Sequence, residues 1–164
     1  MAMTTIRPAA CDDLQSITLI YNEAILSFEA TIDAECKRES EQVSWWNDHD
    51  PRNPILVYEI DGAVVGWGAL SPWARRCSSA TTAEVSVYVK KAFRGRGIGR
   101  KLLRSLLDEG KRLGHHAILA RITTANEVSI RLHESFGFQY AGTVSEVGKK
   151  FDQWLDVATY QKLI

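Results

Sequence analysis

Apolar and polar positions alternate along this chain with two different periods, and each change of period predicts an element. Residues 4–9, "TTIRPA", form a short strand candidate broken by Pro8. Asp12 or Asp13 then caps a helix in which Leu14, Ile17, Tyr21 and Ile25 recur at helical spacing. Residues 27–53 are polar and punctuated, with a second helix over "SEQVSWWNDH" that Trp45 and Trp46 anchor to the core. "ILVYEI" and "AVVGWGAL" flank Asp61-Gly62, a dipeptide suited to a tight hairpin turn. "AEVSVYV", residues 83–89, sends Glu84, Ser86 and Tyr88 to one face and Val85, Val87 and Val89 to the other. "GRKLLRSLLDEGKRLG" is a helix with Leu102, Leu103, Leu106, Leu107 and Leu113 along one side and Gly114 as its stop. "AILARI" is a short buried strand, "NEVSIRLHESFG" a helix ended by Gly137, and "FQYAGTVSEVG" and "QWLDVATYQKL" two final strands. This order predicts one layered α/β domain with a partly antiparallel sheet.

Composition narrows the function classes. The 164 residues are 45% apolar and 24% charged, enough for one core and an ordinary globular surface. Twenty basic and twenty acidic residues cancel, so no global field draws the chain to nucleic acid or to a membrane. No apolar run reaches spanning length, and the N-terminus lacks the apolar core of a signal peptide. Cys11, Cys36 and Cys77 are odd in number and widely spaced, which suits reduced thiols in a cytoplasmic protein and offers no metal site.

The densest local charge surrounds "FRGRGIGRKLL", where Gly95, Gly97 and Gly99 alternate with arginines just before a helix. A helix start leaves several N–H groups without partners and carries about half a positive charge, so bare backbone there can hold a phosphate or pyrophosphate. A Walker A loop is excluded because Arg100-Lys101-Leu102 follows Gly99, and a dinucleotide fingerprint because Arg100 stands where its third glycine belongs. A basic turn without a ligand is the alternative. Downstream, Asn126, Ser129 and His133 fall on one face of the predicted helix and could line a groove, or serve as helix-start polar groups and a packed histidine.

"VSVYVKKAFRGRGIGRKLL" followed by "NEVSIRLHESFGF" resembles the GNAT superfamily of acetyl-CoA-dependent N-acetyltransferases. With "IYNEAI" and "VGKKFDQWLDV", the chain is similar to its phosphinothricin and methionine sulfone/sulfoximine branch over almost its whole length. The resemblance implies a GNAT fold: a mixed, mostly antiparallel sheet flanked by helices and splayed at the acetyl-CoA site. It implies that amides of Arg94, Gly95, Arg96, Gly97, Ile98 and Gly99 hold the pyrophosphate. Val87 and Val89 would pair with the pantetheine arm, and Asn126 and Ser129 would contact the coenzyme further along. It implies a homodimer, with Phe151 and Trp154 at the contact or, alternatively, in the core.

An acceptor ammonium has no lone pair, so a base must take its proton directly or through water. The resemblance puts Glu84 in that role, and a strand N–H near Val89 could stabilise the oxyanion. His133 stands where many relatives carry a tyrosine acid; protonation of the leaving thiolate and simple coenzyme contact are its two readings. In the loop "SPWARRCSSATT", Arg75 and Arg76 would clamp a carboxylate or phosphinate and Trp73 would wall the pocket, or the loop is a solvated basic turn. Many relatives have an aromatic-Arg pair where this chain reads Ser79-Ala80-Thr81, a departure that bears on phosphinothricin as acceptor. The function expected is acetylation of a small amino acid or its analogue. The alternatives are an acyl-CoA binding module without turnover and an enzyme for another amine, including a protein amine.

Overall fold

The computed structural model describes residues 2–74 and 80–164. Seven strands form a single sheet: β1 (Thr4–Pro8), β2 (Ile55–Ile60), β3 (Ala63–Pro72), β4 (Thr82–Val89), β5 (Ala117–Thr123), β6 (Gln139–Lys150) and β7 (Gln153–Leu163). The helices are α1 (Leu14–Ile25), α2 (Glu39–Asn47), α3 (Ile98–Arg112) and α4 (Glu127–Glu134). The spatial order is β1-β2-β3-β4-β5-β7-β6. Every neighbouring pair runs antiparallel except β4 and β5, which are parallel.

The two faces of the sheet bury different halves of the pattern. Leu102, Leu103 and Leu106 of α3 are fully buried against one face, where Ala83 and Val85 of β4 also point. Ile17 and Ile20 of α1 cover the other face with Trp67, Trp45 and Tyr88. Asp61 and Gly62 take φ of 50° and 80°, the left-handed pair that a two-residue hairpin turn between β2 and β3 requires.

Asp13 occupies the cap position before α1, but its side chain makes no capping bond to that helix. Its carboxylate accepts the Ala10 N–H at 2.7 Å and pairs with Arg7 at 2.6 Å, and that guanidinium holds it below the usual carboxylate range. The expectation for Trp45 holds: its ring meets Trp67 edge-on with centroids 5.3 Å apart, fixing α2 over the sheet.

The parallel pair positions the site. β4 and β5 are in register only at Thr82↔Ala117, Ala83↔Ile118 and Glu84↔Leu119. Beyond Glu84 the two strands part, although β4 continues to Val89 along β3.

Candidate active site

The parting of β4 from β5 opens a cleft of about 940 Å³ lined by both strands, the loop after α1, the start of α3 and α4. The phase of β4 decides what its backbone offers. Trp73 N–H donates to Thr82 C=O at 3.4 Å, and Lys90 N–H to Val65 C=O at 2.9 Å, so even-numbered residues bond to β3. By alternation, the main-chain groups of Val85, Val87 and Val89 face the gap where β5 has turned away. The Val89 carbonyl is taken there by Arg94 Nε at 3.0 Å. An extended chain laid into the gap would find a row of strand donors and acceptors.

At the far end of the gap stands the start of α3. The first bond that closes its helix is Lys101 N–H to Gly97 C=O, so the N–H groups of Ile98, Gly99 and Arg100 precede it with no partner in the helix. Gly95 and Gly97 take φ of 74° and 75°, a conformation that L side chains rarely adopt, and no atom lies within 4 Å of where their Cβ would sit. The glycines therefore serve backbone shape and leave open space beside it. Gly99 differs: a Cβ there would rest 3.7 to 3.9 Å from Leu132, Val87 and Val89, between β4 and α4. Arg94 and Arg100 line the cleft. The Arg96 guanidinium turns back over the Phe93 ring and bonds Ala92 C=O, so only its backbone belongs to the turn.

Asn126, Ser129 and His133 all line the cleft, as their spacing predicts. Asn126 also caps α4, its Oδ1 accepting the Ser129 N–H at 3.1 Å. His133 is buried, 4% exposed, and its Nδ1 lies 2.8 Å from the Ser129 carbonyl. A carbonyl only accepts, so Nδ1 carries the proton. Burial pushes the imidazole pKa below its ordinary value, and Nε2 has no hydrogen-bond partner among the described residues. With the Nδ1 proton engaged by the carbonyl, Nε2 would have to gain a proton before it could serve a thiolate, whereas the neutral ring already suits coenzyme contact.

The opposite wall carries the carboxylates. Glu84 stands at the last paired position before the strands diverge, on the face shared with Ser86 and Tyr88. Arg121 lies two residues beyond Glu84's partner Leu119, hence on the same face, and grips the carboxylate bidentately: Nε to Oε1 at 2.9 Å and Nη2 to Oε2 at 2.9 Å. Its guanidinium lies 5.8 Å from the centre of the Trp73 ring. Trp73 therefore flanks the site by way of Arg121. Arg75 and Arg76 lie outside the described residues.

Facing Glu84 is the loop after α1. Tyr21 donates its hydroxyl to Asp33, and the Thr123 hydroxyl to the Glu29 carbonyl, so the loop is tied to both α1 and β5. The Tyr88 phenol is pushed up to about 12 by burial, and Tyr21 is raised by burial as well; both remain protonated donors at neutral pH. Sequence reasoning missed Arg121, Asp33 and Glu29. Arg121 had a signal, being the single charge in "AILARI", but the strand read as uniformly buried.

Comparison with known proteins agrees with this geometry. The profile of the acetyltransferase (GNAT) family matches residues 17–138. An L-methionine sulfoximine/L-methionine sulfone acetyltransferase of Salmonella typhimurium is 39% identical, covering 96% of this chain and 92% of its own length. An L-amino acid N-acyltransferase of Escherichia coli is 35% identical over the same shares of both chains. The solved structure of a phosphinothricin acetyltransferase from Sinorhizobium meliloti in complex with AcCoA superposes with a TM-score of 0.92 at 33% identity, covering 98% of this chain and 88% of that one.

Proposed function

The chain belongs to the acetyltransferase (GNAT) family and is an N-acetyltransferase, and we propose that it acetylates the amino group of a small amino acid or analogue, of the methionine sulfone, methionine sulfoximine or phosphinothricin type. The observation that carries this reading is the parting of β4 from β5 immediately after Glu84. It sets one carboxylate at the mouth of a gap whose far end is the bare start of α3. The residues fit acetyl-CoA as donor substrate: the amides of residues 94–99 toward its pyrophosphate, the backbone of Val87 and Val89 toward its arm, and Asn126 and Ser129 along α4.

Acetyl-CoA supplies the activated acyl group; the chain supplies position and proton traffic. Acceptor amines are mostly ammonium ions near pH 7, with pKa values of about 10. Glu84, Glu29 and Asp33 make the acceptor half of the cleft attractive to that cation. Glu84 takes one proton from the ammonium, directly or through water; the freed amine nitrogen bonds the acyl carbon, gives up a second proton, and the C–S bond breaks. That second proton balances the leaving thiolate, so coenzyme A departs as the thiol and Glu84 returns its own proton to solvent. Val89 N–H, facing the gap, is placed to donate to the acyl oxygen as charge develops.

The same reading makes the protein a cytoplasmic homodimer. Val144, Val147, Phe151 and Trp154 are all exposed on the β6–β7 hairpin, which supports a contact between copies and speaks against the core alternative for Phe151 and Trp154. Cys11 and Cys36 are free thiols, and no helix among the described residues is long and apolar enough to cross a membrane.

Thiol release from acetyl-CoA, measured over a panel of amino-acid analogues, simple amines and peptides, tests the proposal. Turnover of at least one small amino acid is the expected result. Coenzyme binding without release for every acceptor would leave an acyl-CoA binding module instead.

A further inference from the structure

The four arginines that line the cleft among the described residues divide by neighbourhood. Arg94 and Arg100 stand at the glycine turn, and Arg131 pairs with Glu127 on α4. Arg121 alone of the four stands among the carboxylates of the acceptor half. Among the described residues its ion-pair partner is Glu84, the proposed base, and its fork occupies both oxygens that would meet the incoming ammonium.

We propose that Arg121 and Glu84 together recognise the zwitterionic head of a free α-amino acid, Arg121 taking the α-carboxylate and Glu84 the α-ammonium. The inference rests on the acetyltransferase reading above and narrows its acceptor class. An α-amino acid carries its cation and anion on one carbon, so the two charges lie side by side. The wall offers the complementary pair at matching separation: guanidinium and carboxylate in contact at 2.9 Å. Laid against each other in opposite order, the two pairs satisfy all four charges, and the planar fork suits a carboxylate in two parallel hydrogen bonds.

The exchange is feasible because it replaces like with like. The Arg121 side chain is 55% exposed and so open to an incoming group, although Glu84 is only 19% exposed, and a second carboxylate offers the fork the same two parallel hydrogen bonds. The guanidinium also lies over the Trp73 ring, a contact that can keep it near the site after it leaves Glu84. Release of the fork by the acceptor's own carboxylate then frees the Glu84 oxygens for the ammonium. A lysine side chain or a peptide N-terminus has no carboxylate beside its amine and leaves the fork closed.

Three probes decide it: methionine sulfone, the amine that lacks its carboxyl group, and its carboxamide, each assayed with the wild type and with Arg121→Met. The wild type should prefer the zwitterion in kcat/KM, and the substitution should reduce that preference by about 10- to 100-fold, the loss of a charge-assisted bidentate contact. Coenzyme A affinity, measured by calorimetry on both proteins, should be equal and shows that the variant is folded. An unchanged ratio among the three probes would overturn the inference, whatever happens to the absolute rate. Calorimetric binding of the three probes to the coenzyme-loaded protein gives the same comparison without turnover. Zwitterion binding that depends on Arg121 with no thiol release would retain this inference and reject acetyl transfer; equal binding of amine and zwitterion would reject this inference alone.

Discussion

Lys150, at the end of β6, buries its ammonium beneath the loop that walls the acceptor half of the cleft and donates to the carbonyls of Ser27 and Thr31, the latter at 3.1 Å. The residue is 1% exposed. Burial lowers its pKa, and Asp33 and Glu29 act the other way by favouring the charged form. Next to it Gly148 lets Ile32 approach so closely that a Cβ would stand 2.7 Å from the Ile32 side chain. The β6–β7 hairpin thereby sets the height of a loop more than a hundred residues earlier in the chain.

Lys150→Met should leave both carbonyls without donors. A buried acceptor left unsatisfied costs about 1–3 kcal/mol, so the variant should unfold at lower denaturant by that order. Because Glu29 and Asp33 ride on this loop while the glycine turn does not, KM for the acceptor should rise with coenzyme affinity unchanged. Steady-state kinetics and coenzyme calorimetry on the same preparation check the split. A coenzyme affinity that falls in step with acceptor affinity would show that the loop does not act on the acceptor alone.

What the sequence made legible is what local periodicity encodes. Strict alternation placed Glu84, Ser86 and Tyr88 on one face of β4, and the helical spacing of Asn126, Ser129 and His133 set them on one wall of the cleft. The glycine density at 95, 97 and 99 was readable as bare backbone before a helix, while the left-handed conformation of Gly95 and Gly97 comes from the folded turn. Illegible were the pairings that depend on strand order. Arg121 meets Glu84 because β5 lies parallel to β4 in a register that no local pattern announces. Nothing local in "VGKKFDQ" sets Lys150 apart, since its burial comes from a loop 119 residues away. For His133 the sequence left a groove position and a packed one open, and its tautomer is set by a carbonyl acceptor that only the folded helix presents.

Glu84→Gln keeps the shape of the side chain and one acceptor for Arg121, but cannot take a proton. Turnover should fall by roughly 10²–10⁴, the usual contribution of a general base, while coenzyme affinity stays the same. Single-turnover acetylation followed by mass measurement of the product isolates this step from release. A rate within threefold of wild type would remove Glu84 from the chemistry.

Replacing Gly97 with alanine tests backbone shape against ligand space. In the free protein a Cβ meets nothing within 4 Å, so the cost is confined to holding φ at 75° with a side chain, about 1–2 kcal/mol. Any loss of coenzyme affinity beyond that strain measures intrusion on the phosphate. Gly97→Ala should therefore weaken coenzyme binding far more than it lowers unfolding stability. Equal losses would mean that the turn is glycine-rich for folding and not for phosphate.

The state of His133 predicts a pH dependence with a definite sign. Its folded pKa is lowered by burial, so below the ordinary value of about 6.5 the unfolded chain binds a proton that the folded chain resists. The stability it contributes is complete above that pH and drains as pH falls through the lowered value. His49, similarly depressed by burial, adds a slope of the same sign. Denaturant titrations between pH 7 and 5 should show declining stability in the wild type and a shallower decline in His133→Asn, with the His49 part remaining. Turnover of that variant should stay within about tenfold of wild type, below the usual contribution of an acid catalyst. A loss of a hundredfold or more with the coenzyme still bound would return the proton-donor role to this imidazole, and would require Nε2 to gain a proton that its surroundings in the free protein do not favour.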